Sequence, residues 1–204
     1  MKQVLVDYIG SITVTPEQIH ESIANNNGKV IVSGIMQRGS TGKDENFNQN
    51  GRSYPLPILK RESDKYKKVF IAERRALGEL DHPESSVVNL SNVSHNVVDL
   101  WWNGSDLMGK IEILGTPSGN IAKELLKAGI RLGISSRGMG SVTNLGEGKV
   151  EVQDDFEIVC WDLVSNPSTQ GAFMSPSLNE GVNRGAANKY SKINSLIGDI
   201  ISVM

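Results

Sequence analysis

A single cysteine, Cys160, stands in 204 residues, so no internal disulfide framework can form. Three histidines without cysteine pairs exclude a zinc ribbon or finger, and no cofactor-binding motif is read. That cysteine usage fits a reducing intracellular setting. No run of about 18 apolar residues occurs, and Asp7 comes before any long apolar stretch, which predicts neither a signal peptide nor a membrane span. Charge of one sign is also missing. With 21 Lys plus Arg against 23 Asp plus Glu, the formal net charge is −2 and leaves no basic excess to hold a phosphate backbone, so nucleic-acid binding is not expected.

What is present is the length for one domain with an appendage: residues 1–176 as the folded unit and 177–204 as a linker and tail. Residues 3–8 and 29–37 carry the β-branched pattern of strands, and Thr15-Pro16 starts a helix between them. Residues 37–54, rich in Gly, Asn and Ser, read as a loop turned at Asn50-Gly51. A basic surface helix is predicted from Leu56 to Lys68. A hairpin over 93–102 and 107–114 turns at Asn103-Gly104. Thr116-Pro117 opens a helix with the apolar stripe Ile121, Leu125, Leu126 and Ile130. Residues 149–164 read as a buried strand that Asp162 interrupts. Beyond Pro167 a Ser, Asn and Gly-rich tether precedes an amphipathic helix bearing Ile193, Leu196, Ile197, Ile200 and Ile201.

Three groups could supply the roles of acyl-transfer catalysis: a serine of the glycine-flanked pair Ser135-Ser136, His82 in the turn Asp81-His82-Pro83, and Asp162 in its apolar run. Each also has a purely structural reading. The serine pair is not a Gly-x-Ser-x-Gly elbow and can be a strand-to-turn transition. His82 can simply bond Asp81 or Glu84 at the surface, and Asp162 can cap the Ser165-Asn166-Pro167 turn. His95 alternates with valines as a satisfied sheet histidine would, His20 lies on the exposed side of the first helix, and Cys160 reads as core. A cysteine hydrolase using Cys160, and a metal hydrolase using His82 with Asp81 and Glu84, are the weaker chemistries.

Four segments together resemble the prohead serine proteases of tailed bacteriophages, relatives of the herpesvirus assemblin protease. They are Asn50-Gly51-Arg52-Ser53-Tyr54-Pro55, Ala76 through Pro83, Asp99-Leu100-Trp101-Trp102, and Gly133 through Gly140. The resemblance spans residues 30 to 176. It implies an α+β fold, a mostly antiparallel β-barrel surrounded by helices. It also implies His82 as the base and Ser135 as the nucleophile. Assemblins place a second histidine further along the chain; Asp162 stands there here, with Glu84 and Asp154 as the other carboxylates in view.

By the same resemblance the substrates are capsid scaffold and major capsid proteins, cut after glutamate in Leu/Ile-x-Glu before a small residue, inside the prohead in the host cytoplasm. Leu178-Asn179-Glu180-Gly181 in the tether is then a self-cleavage site; Leu145-Gly146-Glu147-Gly148 also fits the pattern. Glutamate recognition calls for a cationic subsite, for which Arg137, Arg52 and Arg131 are candidates, with Gly138 beside the nucleophile. Main-chain N–H groups near Ser165 and Asn166, or near Gly138, are the candidate oxyanion donors. Homodimerisation, as in assemblins, stays open. So does the alternative of a non-enzymatic capsid scaffold protein with the same barrel.

Overall fold

A computed structural model describes residues 3–6, 15–42, 46–83, 85–169, 172 and 174–176. Residues 177–204, with the tail helix and the Glu180-Gly181 bond expected there, lie outside them, whereas Ser168, Thr169, Ala172 and Met174, expected as the start of the tether, are buried in the folded unit.

The chain enters as β1 (Gln3–Val6), then α1 (Pro16–Asn25). Thr15 caps α1 by accepting from the Gln18 amide, while the Gln18 side chain accepts from the Thr15 amide. The sheet strands that follow are β2 (Val30–Arg38), the short β3 (Arg52–Ser53) and, after α2 (Leu56–Tyr66), β4 (Leu77–Glu79). The hairpin is β5 (Val93–Asn103) and β6 (Asp106–Ile113). Its two loop residues are Gly104 and Ser105, one position later than the Asn-Gly signal suggested. Gly104 takes the first loop position at φ +61°, where a side chain is strained.

The chain continues through α3 (Pro117–Lys127), β7 (Gly133–Gly140), β8 (Val142–Gly146), β9 (Lys149–Val152), β10 (Glu157–Val164) and β11 (Ser175–Pro176). The apolar face of α3 is rotated from the predicted stripe. Ala122 and Leu126 are buried, whereas Ile121 and Ile130 are about half exposed.

The architecture is α+β and mostly antiparallel, but the described strands form three sheets and not a closed barrel. Their orders are β1-β7-β10, β11-β2-β6-β5-β4 and β3-β9-β8. Among the ladders only β3–β9 is parallel. The run 149–164, expected as one strand, breaks at residues 153–156 so that β9 and β10 serve different sheets; Phe156 at the break turns inward, 1% exposed. One core unites the sheets. Trp161 of β10 is sealed and meets Tyr66 of α2 edge to face, with ring centroids 4.8 Å apart.

A seam between the five-stranded sheet and the β1-β7-β10 sheet positions the site. Leu80, just past β4, bridges in parallel to Leu163 of β10, and the Asp81 amide donates to the Leu163 carbonyl at 2.7 Å. Asp81 then adopts a left-handed φ of +70°, an uncommon conformation that aspartate tolerates, and redirects the chain so that His82 follows directly beside β10.

Candidate active site

Strand pairing explains why residues far apart in sequence share one face. β7 and β10 run antiparallel with Ser135 opposite Asp162 and Arg137 opposite Cys160. Directly opposed side chains of an antiparallel pair project to the same face, and alternation puts Ser135 and Arg137 on that face too. The register shift between Ile158 and Cys160 resets the strand before these pairs, which keeps Asp162 in step with Ser135. Ser136, opposite Trp161, belongs to the other face.

The turn after β4 lays His82 over this face. Its Nε2 lies 2.7 Å from Ser135 Oγ and its Nδ1 lies 2.8 Å from Asp162 Oδ2. The His82 side chain is 4% exposed and Ser135 1% exposed, so the contact is shielded from competing water. With the carboxylate at Nδ1, that nitrogen carries the proton and Nε2 is left to accept from the serine hydroxyl. Serine, imidazole and carboxylate in this order form the arrangement by which a hydroxyl is prepared to attack an acyl group.

Asp162 is fully buried, and its partners account for its ionised form. The Glu79 amide donates to Oδ1 at 2.9 Å, Arg137 Nε lies 3.0 Å from Oδ2, and Arg137 Nη2 lies 3.2 Å from Oδ1. Burial alone would raise its pKa. The hydrogen bond from His82, the Arg137 charge and the Glu79 amide outweigh that and hold the carboxyl below its ordinary value.

The Cys160 thiol touches both Asp162 and Arg137, at 3.3 and 3.2 Å. Burial first, and the Asp162 charge second, push its pKa well up. Cys160 is therefore a protonated donor within the cluster and not a nucleophile. His95 matches its expected place as a satisfied sheet residue. Buried completely and held near a pKa of 4 by desolvation, it contacts the Trp161 carbonyl through Nε2 and Ser94 Oγ through Nδ1, bracing the residue before Asp162.

Two substrate-binding expectations need correction. Arg137 is fully buried, with its guanidinium committed to Asp162, Glu79, Cys160 and the Ser85 carbonyl. It stands behind the serine–histidine pair, where no substrate carboxylate reaches. Gly138 is buried beneath the Phe156 ring, which a Cβ there would approach to 2.4 Å, so this glycine serves packing. Arg52 lies elsewhere, half-buried in a cavity of about 130 Å³ shared with Arg38, Asn46 and Thr169. Next to the His82 turn, a second cavity of about 400 Å³ is lined by Asp81, Val164, Ser165 and Asn166, with Gln49 and Asn50 opposite. Of the other carboxylates in view, Asp154 is 86% exposed and paired with Arg61, away from His82, and Glu84 lies outside the described residues.

Sequence reading missed Glu79. Its only signal was its place two residues before Asp81, in a segment already singled out.

A serine, an imidazole and a buried carboxylate so placed have the geometry that serine hydrolases use. The chain belongs to the prohead core protein serine protease family, whose model matches residues 9–183. It is similar to the prohead core protein protease of Enterobacteria phage T4, with 33% identity over 147 residues, 70% of this chain and 69% of that protein. The solved structure of the bacteriophage T4 capsid assembly protease, gp21, is also similar, with a TM-score of 0.65 and 26% identity over 81% of this chain and 99% of that one.

Proposed function

We propose that this chain is a serine endopeptidase acting inside the prohead, and that Ser135, His82 and Asp162 are its catalytic residues. The observation that carries the reading is the 2.7 Å contact between His82 Nε2 and Ser135 Oγ, backed by a buried carboxylate at the other ring nitrogen. His82 takes the hydroxyl proton as Oγ attacks the scissile carbonyl, and Asp162 fixes the tautomer and stabilises the imidazolium that forms. Collapse of the tetrahedral intermediate breaks the C–N bond while His82 returns the proton to the leaving amine, leaving an acyl group on Ser135. Water then attacks the acyl carbon as His82 takes its proton, and the acyl–Oγ bond breaks while His82 returns that proton to Ser135, releasing the carboxylic acid. Because Ser135 is nearly sealed, productive binding requires a local opening beside the His82 turn.

The family relationship supports capsid scaffold and major capsid proteins as substrates. Cleavage after glutamate and self-processing after Glu180 extend that reading. The sequence Leu178-Asn179-Glu180-Gly181 supports both, and Arg52 places a cationic group in the lining of a cavity. The Ser165-Asn166 turn at the larger cavity is the favoured source of oxyanion donors.

Intact mass spectrometry of the purified chain tests this. Loss of residues 181–204 from the wild type, with Ser135→Ala and His82→Ala remaining whole, is expected. Trimming that persists in Ser135→Ala would remove the assignment. A wild type that never trims and never cuts a Leu-Asn-Glu-Gly peptide would favour a non-enzymatic assembly role.

A further inference from the structure

The mechanism above uses three side chains, yet two more ionic groups are sealed behind them. Arg137 and Glu79 are each 0% exposed, and Arg137 Nη2 meets Glu79 Oε1 at 2.7 Å. Burying a guanidinium and a second carboxylate beside a catalytic carboxylate costs desolvation energy, which replacement by apolar side chains would avoid.

Their geometry indicates what they do. Arg137 grips Asp162 through Nε on one oxygen and Nη2 on the other, a two-point hold that fixes the carboxylate plane facing His82. Taken alone, that grip would be counterproductive, because a positive charge against Asp162 cancels the field that favours an imidazolium. Glu79 offsets it. With Glu79 and Asp162 ionised and Arg137 charged, the cluster behind a neutral His82 carries one net negative charge, and becomes neutral as His82 takes the serine proton.

The same pair also holds the segment after the histidine turn. Arg137 Nη1 donates to the Ser85 carbonyl at 2.8 Å, and Glu79 Oε1 accepts from the Asn89 amide at 3.0 Å. Other groups around the cluster are the Cys160 thiol on β10, His95 on β5 and Tyr66 on α2. Burial holds His95 largely neutral near pH 7 and keeps the Cys160 and Tyr66 protons on.

Building on the catalytic reading above, we propose that Glu79 and Arg137 are a coupled pair of positioning residues: Arg137 orients Asp162 toward His82, and Glu79 restores the negative charge that Arg137 would otherwise cancel.

The test measures pH profiles of kcat/KM, together with kcat and KM, on the Leu-Asn-Glu-Gly peptide for Glu79→Gln, Arg137→Met and the double variant. Reaction rates with a fluorophosphonate provide a readout independent of peptide preference. Glu79→Gln, close to isosteric, is expected to lower kcat about 10- to 100-fold with KM little changed, the range found when an outer-shell partner of a metal ligand is lost. Its acid limb moves to lower pH, since a negative charge near the imidazolium is gone. Arg137→Met moves that limb to higher pH, and the double variant returns it toward wild type. Should Arg137→Met not fold by near-UV circular dichroism, Arg137→Lys replaces it, with kcat lowered and the limb unmoved.

An unchanged kcat and acid limb in Glu79→Gln, or a double variant whose loss in kcat is the full product of the two single losses, overturn the proposal. Ser135→Ala in the same assays separates the two levels. If it retains turnover the catalytic reading itself fails; if it is dead while Glu79→Gln behaves as wild type, only the positioning proposal fails.

Discussion

Replacing Asp162 with asparagine keeps the shape of the site and removes one charge, which makes it a demanding perturbation of the account. Four groups donate to this carboxylate: the imidazole at 2.8 Å, the Arg137 fork at 3.0 and 3.2 Å, the Glu79 amide at 2.9 Å and the Cys160 thiol at 3.3 Å. An amide in its place can turn its NH2 toward His82 and favour the wrong tautomer, leaving a proton on Nε2 where the serine hydroxyl should donate. For a serine–histidine pair that loses its orienting carboxylate in this way, kcat falls about 10⁴-fold.

Stability should fall as well. Breaking a buried ion pair costs about 3 to 5 kcal/mol, and the lower end applies because Glu79 still accompanies Arg137. The sign of the pH dependence follows from Asp162 being held below the ordinary carboxyl pKa of 3.8. Its ionised form stabilises the folded state above that value, and the stabilisation is lost as pH falls through the lower, folded-state pKa. Urea unfolding should therefore separate wild type from Asp162→Asn near neutrality and bring them together in strong acid. Turnover within tenfold of wild type, or a stability gap that persists unchanged into acid, would refute the reasoning.

Other predictions concern the frame around the site. At Gly78, a Cβ would lie 2.0 Å from the Trp161 carbonyl oxygen and 2.4 Å from the His95 ring, so Gly78→Ala should cost about 1–3 kcal/mol or more, seen as a lowered Tm. An unchanged Tm would mean that β4 does not press on β10 as described. His95, with a folded pKa near 4 against 6.5 ordinarily, takes its proton more readily in the unfolded chain. Stability should accordingly drop by about 3 kcal/mol as pH falls from 6.5 to 4, and His95→Gln should flatten that part of the curve.

Much of the arrangement was legible because its signals are local. The Thr15-Pro16 and Thr116-Pro117 starts fix α1 and α3, and the glycine at φ +61° places the β5–β6 turn to within one residue. A carboxylate in the apolar run at Asp162 announced that partners had to exist, and the structure supplies His82 and Arg137. What the sequence did not reveal depends on register and sheet partition. The assignment of Arg137 to substrate failed because the β7–β10 pairing, invisible locally, turns it inward toward Asp162 and Cys160. Glu79 was missed for the same reason: only the seam at Leu80 and Leu163 brings β4 against β10. The rotation of the α3 stripe shows packing against α1 and the β5–β6 pair overriding a periodicity that fits two adjacent faces nearly equally.

The most direct test of the central claim is to treat wild type and His82→Ala with a small fluorophosphonate, then locate the adduct by peptide mass mapping. The account predicts modification at Ser135 in the wild type and a loss of labelling in His82→Ala. An adduct on Ser136, or equal labelling of Ser135 without the imidazole, would contradict it.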